Sequence, residues 1–401
     1  MADVHPIDSK QILRYNPQID GLRFCAVLFI VSYHWLTSVS SIQQSYFFGG
    51  MVNFFFVLSS YLITRILFSA REKSRIANIP SLKVIVVFLI RRTIRIFPAY
   101  YFFLLMVLLM PVIGNQIKDS AGMYFAYLSN YAIFYSHSWP HVSSHLWTLA
   151  VEEQFYLIWP IVIIFVPRRH LLKTFLFIII GSVILKAVYY YPAEVVPQDI
   201  LTQFCVDAFA VGGILAYKYT APEKERRLIT KYFNIVFYAG IPLCIIIILT
   251  KSYYFSFVIN RLLFAVFSMK AIEGAVIGYK SYFGRFLERK WVLYLGRISY
   301  GIYLYHLLIP VVFWKIYDIA YYHADIRFPS FFTIHKNGIL TFQSILSSEA
   351  VCYVIYALLT VGVASFSWYF IEKPINKFKP VIDFNIRKAA LNRFRKIATG
   401  L

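Results

Sequence analysis

His34, Glu152, Glu153 and His306 interrupt long apolar runs of this chain, and Arg23 and Asp207 stand in similar surroundings. Imidazoles and carboxylates take up and release protons in catalysis. An ionisable side chain inside a bilayer is costly, so each of these positions is a candidate for function. His34 and Arg23 share the segment IDGLRFCAVLFIVSYHW. Eleven residues at about 100° each return a helix to within about 20° of the same face, with a rise of roughly 16 Å. A cation and an imidazole therefore face one way at different depths, though Arg23 could equally be an interfacial anchor and His34 a hydrogen-bonded core residue. Glu152 and Glu153 lie in SHLWTLAVEEQFYLIWP. Adjacent helical residues point about 100° apart, so at most one of them is expected to share a cavity with His34. The other would pair with an arginine, bond a neighbouring helix or face a wet pocket.

In GRISYGIYLYHLLIP, Ser299, Tyr303 and His306 follow helical spacing, a pattern that also suits an interfacial aromatic belt. Asp207 in FCVDAFAVGG lies beside Gly212 and Gly213, small residues that let a second backbone approach. It is a candidate site residue or one end of an interhelical hydrogen bond. Counted from the outer helix ends at 1.5 Å per residue, His34, Glu152 and His306 all lie roughly 9–12 Å deep. That common level suggests one site in the outer half of a helix bundle. A second cluster, Arg91, Arg92 and Arg95 in FLIRRTIRIFPAYY, lies at the other end and is joined there by Arg23. Guanidinium groups donate in pairs and suit phosphate, although cytoplasmic loops are rich in such residues anyway. His137, His141 and His145 recur every four residues. Pro140 lies between them with no carboxylate or thiolate near, and no metal site is expected.

These residues require elements that cross a membrane. Of 401 residues, 59% are hydrophobic and 15% charged, with mean hydropathy +0.62, whereas soluble domains carry about 25% charged residues. Runs of about 20 apolar residues span a bilayer. The expected fold is all-α and polytopic, with about ten transmembrane helices near 22–42, 48–68, 86–111, 146–167, 171–190, 199–217, 232–250, 254–279, 291–314 and 346–371. The stretch 122–136 is read as an outer loop or a re-entrant piece. Placing the N-terminus inside puts 32 Lys and Arg on inner segments against 6 on outer ones, Lys118, Lys186, Lys251, Lys315, Arg327 and Lys336. Both termini are therefore expected in the cytoplasm and the chain in the plasma (inner) membrane. The domains read as a cytoplasmic segment 1–21, a transmembrane domain 22–371 and a basic cytoplasmic tail 372–401.

The net charge of +21 fits this membrane bias and argues against a nucleic-acid partner. Anionic lipid headgroups or a phosphorylated cofactor suit it better. Cys25, Cys205, Cys244 and Cys352 stand singly in apolar runs, so neither zinc nor a disulfide framework is expected. No cleavable signal pattern precedes the first span. A proton-coupled transporter remains the rival reading, since membrane His and Glu residues relay protons. The internal repeat common in transporters is not evident. A structural subunit of a polysaccharide-assembly complex is a third possibility.

The segments quoted above, together with FFFVLSSYLITR and the SFSWYFIEKPI ending, resemble acyltransferase family 3, membrane enzymes that modify cell-surface carbohydrates. The resemblance runs along nearly the whole chain. It implies an acyl-CoA donor, usually acetyl-CoA, and an extracytoplasmic hydroxyl acceptor, with no permanently bound cofactor. It supports Arg23 and His34 as the family's essential pair and Glu152 as its membrane carboxylate. In this reading Arg91, Arg92, Arg95 and Arg23 hold the CoA phosphates. His34 acts as general base, the preferred role, or as a transient acyl carrier, and Glu152 orients His34. The family usually has Gly where this chain has Ser60. Some members carry an appended esterase-like domain. None is expected here, so the chain would finish the transfer itself or hand the acyl group to another protein. O-antigen lipopolysaccharide, exopolysaccharide, a lipid-linked sugar and a glycosylated small molecule all remain open as acceptor, and polysaccharide-assembly proteins as partners.

Overall fold

The computed structural model describes residues 15–36, 46–190, 196–318 and 348–378, and every regular element among them is helical. The long helices are α1 (Pro17–Trp35), α2 (Tyr46–Ile76), α3 (Ser81–Leu109), then, after the short α4 (Ala121–Phe125) and α5 (Ser129–Ser136), α6 (Leu146–Phe165) and α7 (Arg168–Val188). Two 3-10 turns lead into α8 (Val206–Lys218), followed by α9 (Glu223–Thr250) and α10 (Tyr253–Ile277). The chain then breaks into α11 (Tyr282–Leu287), α12 (Lys290–Arg297), α13 (Ser299–Tyr305) and α14 (Leu308–Asp318), before α15 (Glu349–Ser367) and a π-turn at Trp368–Glu372.

Seven of these helices are long and apolar enough to cross a membrane: α2, α3, α6, α7, α9, α10 and the one starting at Glu349. The chain is a multi-pass membrane protein. The other three expected spans differ. The nineteen-residue α1 is diluted by Asp20, Arg23 and His34. The expected span 199–217 is two short turns and the thirteen-residue α8. The expected span 291–314 is three consecutive short helices. The stretch 122–136 forms α4 and α5. Residues 1–14 and 379–401 of the two expected cytoplasmic ends, and the outer Arg327 and Lys336, lie outside the described residues.

Two apolar cores organise the bundle. One gathers α2, α6, α8 and α10; the other gathers α1, α3, α13 and α15 under residues of the 113–142 region. Apolar side chains such as Ile235, Ile245 and Leu249 on α9 point outward, as lipid-facing positions do. Helix α8 packs against α2 and α7. A Cβ on Gly212 would overlap Val57 O and crowd Ser60, so glycine there is what lets the backbones meet. Ser60, where the resembled family has Gly, fits by donating its hydroxyl to Phe209 O at 2.5 Å.

The start of α1 is fixed by polar contacts. Asn16 caps the helix through Gln18 N at 3.0 Å and donates its amide to Ala275 O at 2.7 Å. Gln18 bonds Glu288 and both the N–H and C=O of Tyr279. A Cβ on Gly296 would overlap Asp20 O, so α12 lies directly on α1. These contacts set where Arg23 emerges.

Candidate active site

A cavity of about 940 Å³, counting its open mouth, lies between α1, α2, α3, α6, α12 and α13. Its cationic lining is Arg23, Arg92, Arg95 and Arg297. Arg23 pairs with Asp20 at 3.0 Å. Arg92 lies over the rings of Phe88 and Tyr156, 5.5 Å from each centroid. Among the described residues Arg92, Arg95 and Arg297 form no ion pair. Four guanidinium groups line one cavity and among the described residues only Arg23 is ion-paired, an arrangement suited to a polyanion. Arg91 does not line the cavity. It is exposed, and it lies one turn nearer the start of α3 than Arg95, which does line the cavity. Three of the four expected arginines thus line the cavity, and Arg297 lines it where Arg91 does not. Arg297 escaped the sequence reading because it ends a short helix rather than interrupting a long apolar run.

Both Glu152 and Glu153 line this same cavity, which His34 does not line. Glu152 accepts hydrogen bonds from Ser59 Oγ at 3.1 Å and Tyr156 OH at 2.7 Å. Glu153 Oε1 is buried without a hydrogen-bond partner. The expected bond from Glu152 to His34 is not formed. Depth along a helix places the two residues at a similar level but says nothing of azimuth, and the carboxylates fall on the arginine side. Tyr156, one turn beyond Glu152, was findable from its i+4 spacing; Ser59 lies beside the noted Ser60.

The upper cavity wall includes Ile30, Thr148 and Tyr303. Tyr303 OH and Thr148 Oγ1 are 2.7 Å apart, and Tyr303 OH also donates to His145 O at 3.1 Å. The carbonyl of Tyr303 receives His306 Nδ1 at 2.6 Å, and His306 Nε2 lies 3.1 Å from His34 Nδ1. His34 Nδ1 also lies 3.0 Å from Ile30 O. His34 and His306 are thus brought together as expected of one site. The third member is His145, read from the sequence as an outer-loop residue: it is buried, 5.0 Å from His306 between ring centroids, with Nε2 3.1 Å from Leu304 O. His34 is partly exposed, whereas His306 is fully buried. The histidines do not line the cavity, but Ile30, one turn before His34, does.

Asp207 belongs elsewhere. Fully buried, it pairs with the equally buried Lys186 at 2.5 Å, and its other oxygen accepts its own neighbour's N–H, Ala208 N. Lys186, counted among the outer-segment cations, is therefore a core residue whose charge Asp207 offsets.

Among the described residues no group of three or more His, Cys, Asp or Glu could hold a metal ion. All four cysteines are free.

A family model described as "Acyltransferase domain" matches residues 16–369. The chain is 32% identical over 323 residues to the peptidoglycan O-acetyltransferase OatA of Listeria monocytogenes, covering 73% of this chain and 49% of that protein. It is 27% identical to the O-acetyltransferase OatA of Staphylococcus aureus, covering 91% and 58%. It is also 27% identical to the putative peptidoglycan O-acetyltransferase YrhL of Bacillus subtilis, covering 90% and 55%. The chain spans about half the length of the curated relatives it matches. No solved structure matches it.

Proposed function

Because the chain belongs to this acyltransferase family, we propose that it moves an acetyl group from cytoplasmic acetyl-CoA to a hydroxyl of a cell-wall polysaccharide or its lipid-linked precursor. The observation that carries the reading is the single cavity running from Arg23, Arg92, Arg95 and Arg297 to a wall one turn below His34. The donor's phosphates dock on the arginines, and its flexible arm covers the roughly 16 Å of helix rise from Arg23 to His34. Glu153 Oε1, buried without a partner, accepts an amide N–H of that arm. Glu152, held by Ser59 and Tyr156, balances the arginine charge at the middle of the channel.

His34 then acts as general base. It removes the proton of the acceptor hydroxyl as that oxygen forms its bond to the thioester carbonyl carbon. The carbon–sulfur bond breaks, and the imidazolium returns the proton to the leaving thiolate. The thioester is already activated, so no nucleotide hydrolysis is needed. The relatives named peptidoglycan O-acetyltransferases support the cell wall as acceptor, and the charge bias supports both termini inside, in the plasma membrane.

The test is single-turnover transfer in vesicles holding the purified protein, with radiolabelled acetyl-CoA inside and peptidoglycan fragments outside. Label on the outer glycan is the expected result. Label that stays inside with active, correctly oriented protein would overturn the reading.

A further inference from the structure

We propose that His306 is the positioning residue of the transfer site, a neutral imidazole that fixes the tautomer of His34 through an N–H···N hydrogen bond and so turns the Nε2 of His34 into the base. This rests on the reading of His34 as general base and takes over the task expected of Glu152.

The direction of the chain of bonds follows from which atoms can only accept. Tyr303 O is a carbonyl, so the 2.6 Å contact with His306 Nδ1 requires the proton on that nitrogen. A neutral His306 then has a bare Nε2. Ile30 O is also a carbonyl, so the 3.0 Å contact with His34 Nδ1 places a proton there as well. That same N–H faces His306 Nε2 at 3.1 Å. Donor and acceptor roles agree at every link, from His34 Nδ1–H to His306 Nε2, and from His306 Nδ1–H to Tyr303 O. The only nitrogen left with a free lone pair on His34 is Nε2. Were His306 cationic, it would donate to His34 Nδ1, and Ile30 O would lose its donor.

The sequence fixes His306 in this pose. Four residues after it stands Pro310, which has no N–H to give the His306 carbonyl, and helices α13 and α14 part there. The freed carbonyl accepts Trp35 Nε1 at 2.9 Å, tying His306 to the residue beside His34. His145 packs on its ring, with an interplanar angle of 68°. Among the described residues no carboxylate is bonded to His306. His306 itself is fully buried while His34 is partly exposed, so a substrate can meet the second but not the first. When His34 takes the acceptor proton, its Nδ1–H bond to His306 becomes charge-assisted and shortens; the proton need not move further.

Two measurements test this. Solid-state NMR on ring-15N-labelled protein in lipid should show a nitrogen–nitrogen coupling across the bond between His34 and His306, assigned by its loss in His34→Ala. This readout does not depend on acyl transfer, so it stands even where the proposed function fails. In the vesicle assay, His306→Leu should lower the transfer rate by roughly 10- to 100-fold, the scale seen when the partner orienting a metal-bound imidazole is lost. The acetyl-CoA KM should not change. His306→Gln, whose amide can accept from His34 and donate to Tyr303 O, should recover most of the loss, and it covers the case in which the leucine variant misfolds. His34→Ala/His306→Leu should be no slower than His34→Ala alone. The proposal is overturned by absence of the coupling, by a wild-type rate in His306→Leu, by a loss expressed in KM, or by a Gln variant as slow as the Leu variant.

Discussion

Buried charge is treated in opposite ways on the two sides of α2. Toward α7, α8 and α10 each cation meets a carboxylate: Lys186 with Asp207, Lys218 with Glu273, and Arg261 with Asp199, the last also bonded to Asn53. Toward α1, α3 and α12 the arginines outnumber their ionic partners, and Glu153 keeps a buried oxygen unbonded. The first region pairs its buried cations inside the protein, although Arg261 Nε, Ser182 Oγ and Ser256 Oγ stay unbonded. The second, among the described residues, leaves most of its cations unpaired. The same residue types therefore serve cohesion on one side and recognition on the other, and only the partner list separates them.

Four sets of substitutions probe this contrast, from the largest effect down. His34→Ala or His34→Gln should remove transfer, a loss of about 10²–10⁴ in rate for a missing general base, while acetyl-CoA binding by calorimetry is retained. His34→Gln at more than about a tenth of the wild-type rate, outside that range, would take the base away from His34. On the closed side, Lys186→Met should destabilise the protein by about 3–5 kcal/mol by stranding Asp207, and the added Asp207→Leu should restore much of it. Thermal unfolding in detergent measures both, and the double variant should bind donor as the wild type does. A double variant with lost donor affinity would erase the distinction between the two regions.

In the open region, Arg92→Ala, Arg95→Ala and Arg297→Ala should each cost about 1.5–3 kcal/mol of donor binding, roughly ten- to a hundredfold in affinity. Arg91→Ala should leave it unchanged. An Arg91 effect as large as that of Arg92 would return the phosphate site to the helix end instead of the cavity. The smallest effect belongs to Glu152→Gln. Its amide oxygen still accepts from Ser59 or Tyr156, so the acetyl-CoA KM should rise a few-fold while the rate of transfer holds. A collapse of that rate to the His34→Ala floor would restore Glu152 as the residue acting with His34.

The membrane class and seven of the helices were legible because about twenty apolar residues in a row have few other uses. Arg23 and His34 were legible as a pair because both ride on one helix with a fixed period. What failed was anything that depended on two helices at once. Glu152 sits near the expected depth yet turns toward Arg92 rather than His34, since azimuth is set by packing. Arg297 went unseen and His145 was noted only among outer-loop histidines, because each lies at a helix end, where a polar residue raises no alarm. The break at His306 was written in Pro310, but within the apolar run LLIPVVF a proline also reads as a tolerated kink.

The close seating of Gly296 on Asp20 has a mechanical consequence. Arg23 and Arg297 are carried by α1 and α12, which are welded backbone to backbone, so they move as one jaw. Arg92 and Arg95 ride on α3, which is not among the main neighbours of α1, and form the other. Arg23 and Arg95 repel each other across the gap. Glu152 and Glu153 line the same gap and offset that repulsion in part, and a polyanion that bridges the jaws would offset more of it.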